Sequence, residues 1–199
     1  GDGILTVGPD AGAMACGELG CGRMAEPAVI FEAIMAALAG PAARPLAGKR
    51  AIVTAGPTAE PLDPVRLLTN RSSGKQGFAI AEAAAKAGAQ VTLVTGPVAL
   101  ATPPGVTRVD VETAREMAAE VEAGLPVDAA IMVAAVADWR AADTSEHKIK
   151  KDGSGEVPPL ALAENPDILA SVAKSAKRPP LLVGFAAETN DVIAHAQAK

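Results

Sequence analysis

Aromatic side chains make up only 2% of this 199-residue chain, and cysteine and histidine occur twice each. A core without rings has to be assembled from aliphatic residues and alanine, within an apolar fraction of 49%. Cys16 and Cys21 stand close together with no third or fourth soft ligand nearby. That excludes a disulfide framework and gives a zinc site no support. No apolar run reaches the roughly 18–20 residues that span a bilayer. A basic excess is missing too, and the formal charge of −5 argues against general nucleic-acid or membrane-surface binding. The opening GDGILTVGPD has neither the basic region nor the apolar core of a signal peptide, and no initiating Met. These features predict a fragment of a cytoplasmic protein, long enough for one full domain and part of another.

Residues 1–27 are rich in Gly and Met, lack periodicity and read as loop. AVIFEAIMAALA, residues 28–39, reads as a short helix with Pro27 at its start and Gly40 past its end. GPAARPLAGK then has linker character, and the boundary between a 1–44 segment and a 45–199 domain is placed there. After Lys49 strands are expected at 51–54, 91–95, 106–109, 129–135 and 181–185. Helices are expected at about 75–87, 113–123, 167–176 and 189–199. The runs VTLV and AAIMVAAV suit strands covered on both faces. This alternation predicts an α/β fold with a doubly wound, mainly parallel sheet and right-handed crossovers. The last pattern is that of a helix, so the sheet is expected to be incomplete.

The stretch Ala55–Gly77, AGPTAEPLDPVRLLTNRSSGKQG, carries the most information. A connection of about 20 residues is long for an α/β domain and is usually functional. It closes in Ser72-Ser73-Gly74-Lys75, where a helix entrance leaves amides free to hold an anion. A Walker loop is excluded, since Gln76 follows Gly74-Lys75 and Thr69 stands where its first glycine belongs. A dinucleotide fingerprint fits poorly, because the second strand ends Val94-Thr95-Gly96 with no acid for a ribose. The serines and Gly74 alone are explained by helix capping. Arg66 and Asn70, one helical turn apart, together with Lys75 go beyond capping and point to a phosphorylated ligand.

A second constellation follows the strand AAIMVAAVADWR, whose carboxyl end at Ala134–Asp138 lies where open α/β sheets bind ligands. Small side chains there let a base or ribose approach the backbone. Lys148-Ile149-Lys150-Lys151 comes next; such a cluster is ordinarily a solvated face, but this one follows a strand end. Asn165-Pro166-Asp167-Ile168 reads as a helix entrance with Asn165 or Asp167 as cap. Phe185 closes the next strand and reads first as core, with stacking on a base as the alternative.

GPTxEPLDPVRxxTNxSSGKxG, AAVADWR, KIKK, NPDIL and VGFAAET together resemble the bacterial phosphopantothenate–cysteine ligase family, over roughly residues 45–199. PDAGAMACGELGCGRMAEP resembles the substrate clamp and active-site cysteine segment of phosphopantothenoylcysteine decarboxylases, which in many bacteria precede the ligase on one polypeptide. The resemblance implies a Rossmann-like ligase domain behind the tail of a flavoprotein. It further implies coenzyme A biosynthesis by CTP-dependent joining of phosphopantothenate and cysteine through an acyl-cytidylate. Arg66 and Asn70 would act at the intermediate by donating to developing oxyanions, and Lys148 at the triphosphate. Met132, Val133, Ala134, Asp138, Pro166, Asp167, Ile168, Leu169, Phe185 and Lys199 would contact CTP. Mg²⁺ is implied as countercharge, although no metal cage is visible.

For the decarboxylase, the resemblance makes Cys16 the proton donor to an enethiolate and FMN the oxidant, with the flavin site upstream of this sequence. A ligase dimer within a homo-oligomer is implied, with small-molecule substrates, no nucleic acid and no membrane. Cys21, His147 and His195 receive no role. The alternatives are an NAD(P)-binding Rossmann oxidoreductase and a non-catalytic nucleotide-binding module.

Overall fold

The computed structural model describes residues 6–13, 19–39, 44–151, 153, 155, 159–187, 189 and 191. The chain divides into two units, Gly1–Ala43 and Arg44–Lys199. In the first, strands β1 (Asp10–Ala13) and β2 (Leu19–Arg23) pair antiparallel, ahead of helix α1 (Pro27–Ala39). The ladder corrects the loop expected there. Backbone N–H and C=O groups make its bonds, so arms of Gly and Ala can pair without any side-chain alternation to announce them. Pro27 opens α1 as expected, its missing N–H being one the first helical turn leaves unbonded anyway.

The second unit runs β3 (Arg50–Ala55), β4 (Ala59–Pro61), β5 (Leu67–Thr69), α2 (Lys75–Lys86), β6 (Gln90–Thr95) and β7 (Val106–Asp110). It continues through α3 (Ala114–Gly124), β8 (Ala129–Met132), β9 (Trp139–Ala141), β10 (Leu162–Glu164), α4 (Ile168–Lys174) and β11 (Leu181–Gly184). Five of these strands form one parallel sheet in the order β11-β8-β3-β6-β7. The doubly wound α/β fold expected from the alternation is therefore the fold observed.

Successive residues of β3 point to opposite faces, and both faces are apolar. Ile52 joins Val94, Met117, Val121, Ala130 and Ile168 on the side of α3 and α4. Val53 joins Phe78, Ala81, Val91 and Leu93 on the side of α2. Burying strands on both sides is what a parallel sheet requires. Alanine lets the layers close tightly, and Gly77 marks the limit. A Cβ at Gly77 would lie 2.6 Å from the Ala55 Cβ and 2.9 Å from the Thr54 carbonyl oxygen.

Boundaries shift for identifiable reasons. Helix α3 begins after Thr113, whose Oγ1 accepts from the Glu116 amide (3.2 Å) while the Glu116 carboxylate accepts from the Thr113 amide (3.1 Å). Such a reciprocal box satisfies two otherwise unpaired N–H groups. Asp167, not Asn165, caps α4 by accepting from Ala170 N at 2.8 Å. Strand β8 stops at Met132 rather than 135, because the amides of Val133 and Ala134 donate to Thr54 Oγ1. The pairs β4–β5 and β9–β10 were unforeseen; strands of three residues are too short to carry a pattern. The helix expected over 189–199 falls almost wholly outside the described residues. Among the described residues no helix is long and apolar enough to cross a membrane.

Gly77→Val should cost about 1–3 kcal/mol of stability through overpacking against β3. A urea midpoint equal to that of the parent protein would show that α2 does not press on the sheet there. The Asp128 carboxyl is held below the usual carboxylate range by the Arg50 amide and then the Lys49 ammonium, and Glu116 by the amides of Glu112 and Thr113. A carboxyl depressed on folding stabilises the fold above its unfolded pKa of about 4 and loses that contribution as pH falls toward the folded value. The urea midpoint should thus stay level down to about pH 5 and drop below about pH 4; no change between about pH 5 and 3 would contradict these assignments.

Candidate functional site

From β3 the chain winds outward through β6 to β7, then returns to place β8 and β11 on the other side of β3. The order reverses between β3 and β8, and at such a switch point the loops leaving the two carboxyl ends part to open a crevice. Here those loops are tied together. Pro57 and Ala135 form an isolated parallel bridge. The Thr58 amide donates to the Ala135 carbonyl (3.2 Å) and the Ala135 amide to Gly56 (2.9 Å). Thr54 Oγ1 accepts from the amides of Val133 (3.1 Å) and Ala134 (3.2 Å), and Thr58 Oγ1 from Ala137 (2.9 Å). Both threonines are buried. Sequence reasoning missed them; the available signal was a hydroxyl at the carboxyl end of an otherwise apolar strand.

A cleft of about 460 Å³ opens beside this knot. Met132, Ala134, Asp138, Pro166, Asp167, Ile168, Leu169 and Phe185 all line it, so eight of the positions expected to meet a nucleotide share one cavity. Val133 does not line it, and Lys199 lies outside the described residues. Phe185 is 46% exposed, which corrects its reading as core: its ring is available at the cleft, while its amide donates to the Met132 carbonyl (3.2 Å). Trp139, also a lining residue and exposed, was not foreseen. Asn165 joins the walls, its Nδ2 donating to the Ala137 carbonyl (2.8 Å) and its amide to Asp138 (2.9 Å). A larger cleft of about 610 Å³ lies at the amino edge, lined by Arg44, Arg50, Gln90 and Thr107 among others. Ligands of open α/β sheets sit at the carboxyl edge, which favours the smaller one.

Arg66 and Lys148 do not line the cleft; Arg66 lies in the turn of the β4–β5 hairpin, and its Nη2 donates to the carbonyl of Ile149, the residue after Lys148. Asp63 Oδ1 accepts from the amides of Val65 and Arg66, both at 2.8 Å, and Oδ2 from Arg66 Nε at 2.9 Å. The Arg66 guanidinium foremost, with the amides of Val65, Ile149 and Arg66, holds the Asp63 carboxyl far below the usual carboxylate range. Lys148 is exposed beside this pair. Asn70 links hairpin and cleft, because its Nδ2 donates to the carbonyls of Ala135 and Val136, each at 3.1 Å. Both N–H groups of that amide point at backbone carbonyls, which leaves Oδ1 as the group it can offer to a ligand.

Gly74 is the N-cap of α2, in the left-handed region at φ 74° and with no side-chain cap. The hydroxyls of Ser72 and Ser73 turn back to the amides of Gly74 (3.3 Å) and Lys75 (3.5 Å), the second at the limit of a hydrogen bond. Capping by the serines is therefore weak. Cys16 and His195 lie outside the described residues, as does any structural account of them. The described residues contain no group of three His, Cys, Asp or Glu able to hold a metal ion.

The Escherichia coli K12 coenzyme A biosynthesis bifunctional protein CoaBC is 50% identical over 99% of this chain and 48% of its own length. The Vibrio cholerae protein of the same name is 50% identical over 99% of the chain and 49% of its own. The chain thus spans about half the length of the curated relatives it matches. Among solved structures, the C-terminal domain of a coenzyme A biosynthesis bifunctional protein CoaBC aligns with a TM-score of 0.68 at 44% identity, covering 79% of this chain and 74% of that one. Residues 46–199 match the family model described as the DNA/pantothenate metabolism flavoprotein C-terminal domain, and the chain belongs to that family.

Proposed function

We propose that residues 45–199 form a phosphopantothenate–cysteine ligase that uses CTP. The observation that carries this reading is the cleft at the switch point, where eight expected nucleotide positions converge next to Asn70 and the Arg66–Lys148 hairpin. The carboxylate of phosphopantothenate attacks the α-phosphorus of CTP, releasing pyrophosphate and leaving an acyl-cytidylate. The amine of cysteine then attacks the acyl carbon, CMP departs, and the amine loses its proton. The ring of Phe185 offers a face for the base and the cleft floor of Met132 and Ala134 a close approach. Lys148 supplies countercharge to phosphate oxygens, as does Arg66 through the Nη1 edge that Asp63 leaves open. Asn70 Oδ1 accepts from the incoming amine. Mg²⁺ would be held chiefly by the triphosphate and water, since the described residues contain no carboxylate cage.

The first 44 residues are read as the end of an FMN-dependent decarboxylase acting on the ligation product, with Cys16 as its acid. A cytoplasmic setting and a dimeric ligase belong to the same proposal.

A direct test is CTP-dependent release of CMP and pyrophosphate, with phosphopantothenate and cysteine supplied together. The reading predicts stoichiometric formation of both with the ligated product, and binding of NADPH without CTP turnover would overturn it. Asn70→Asp replaces the Nδ2 group and its two N–H donors by one carboxylate oxygen facing two carbonyls. Ligation should fall, and the loss of two bonds at ~1 kcal/mol each should lower the melting temperature by roughly 4–8 °C. Turnover equal to that of the parent protein would remove Asn70 from the site. Lys148→Gln should raise the CTP concentration needed for half-maximal rate much more than that for cysteine; the opposite pattern would place Lys148 elsewhere.

A further inference from the structure

Arg66 and Ile149 are 83 positions apart in the chain, yet Arg66 Nη2 donates to the Ile149 carbonyl at 2.7 Å. What brings them together is a carboxylate that no motif singled out. The side chain of Asp63 is fully buried, with 0% exposure, whereas Arg66 beside it keeps 47%. Five N–H groups converge on the two Asp63 oxygens. Oδ1 takes the amides of Val65 and Arg66, shaping the turn after Pro64. Oδ2 takes Nε and Nη2 of Arg66 and, at 3.1 Å, the amide of Ile149.

The segment leading to Ile149 is laid along the same hairpin. The Ser145 amide donates to the Leu62 carbonyl (3.0 Å) and Thr144 Oγ1 approaches that of Pro61 (3.5 Å). Ile149 is thus held by both its N–H and its C=O, with exposed Lys148 before it and exposed Lys150 and Lys151 after it. Four cations gathered on one edge repel one another and would drive an untethered loop outward. A buried carboxylate at the base offsets the charge of Arg66 and fixes the backbone between the lysines.

Resting on the ligase reading above, we propose that Asp63 is a positioning residue for that reaction, aligning Arg66 and pinning the Lys148–Lys151 strip at the edge of the site. It touches no reacting atom. Its work is to hold two phosphate-facing cations of distant sequence origin in one arrangement before the ligand arrives.

Asp63→Asn separates this role from simple folding. An asparagine keeps Oδ1 for the turn amides but presents Nδ2–H to Arg66 and to the Ile149 amide, donor against donor. Hydrogen exchange and tryptic cleavage read the strip without reference to catalysis. Exchange at residues 148–151, and cleavage after Lys148, Lys150 and Lys151, should each speed up about tenfold, the loss expected for charge-assisted bonds. The half-saturating CTP concentration should rise by a similar factor, that for cysteine should not, and Arg66→Lys should only partly reproduce the effect. Asp128→Asn, which removes a carboxylate bonded to Lys49 and Arg50 at the opposite edge of the sheet, serves as control and should leave the strip unchanged. Exchange and cleavage equal to the parent protein in Asp63→Asn would overturn the clamp. A faster strip with unaltered CTP dependence would overturn its part in the reaction. Absence of ligation in the parent protein would instead sink the reading of the site, while the exchange data still judged the clamp.

Discussion

The pairing of β3 with β8 is the constraint on which the rest of this domain depends. Thr54 sits opposite Met132 in that ladder, the last paired position before the two chains part. One residue later the Thr54 hydroxyl takes the next two amides after β8, so the ladder ends there and the loop beyond turns into the crevice. Thr58 repeats the device at Ala137. Two buried hydroxyls thereby satisfy three amides that would otherwise be unpaired close to the core, where each would cost a few kcal/mol. The cleft exists because these amides are answered from β3 and its loop rather than by continuing the sheet.

Electrostatics are arranged on this scaffold with an economy the net charge conceals. The chain is acidic overall at −5, yet Arg66, Arg71, Lys75 and Lys148, Lys150 and Lys151 fall in the two segments that border the carboxyl edge. Polyanionic ligands are attracted by local fields, and a few well-placed cations outweigh a diffuse opposite charge beyond a Debye length of ~10 Å. Two buried carboxylates lie in the first of these segments: Glu60 accepts from the Ala114 amide, and Asp63 is paired with Arg66. A carboxylate so neutralised orders cations without opposing a phosphate.

The same division runs through what could be read in advance. Ile52 and Val53 show why the sheet was legible: consecutive large apolar residues in a short run can only be buried on two faces. The β8 overrun to 135 shows the limit, since Val133, Ala134 and Ala135 are as strand-like as the residues before them. Only the Thr54 hydroxyl, 79 positions away from Val133, decides that they leave the ladder. Asn70 was legible as a residue, but not the contact of its amide with the carbonyls of Ala135 and Val136, which belong to a loop 65 and 66 positions away. Phe185 was placed at a strand end, and its exposure depended on what packs beside it.

The family resemblance supplied eight of the sixteen residues that line the cleft, and local sequence determined the alternating strands and helices and the anion-suited loop between Ala55 and Gly77. These last follow from side-chain size, turn chemistry and charge over a few consecutive positions. Tertiary structure alone decided that Asp63 would join Arg66 to Ile149, that Thr54 would end a strand and Thr58 hold the loop beyond it, and that the expected site would form two groups instead of one cavity. Each of these rests on hydrogen bonds between segments tens of residues apart, whose partners are chosen by the register of a parallel sheet, and a register has no signature within either strand.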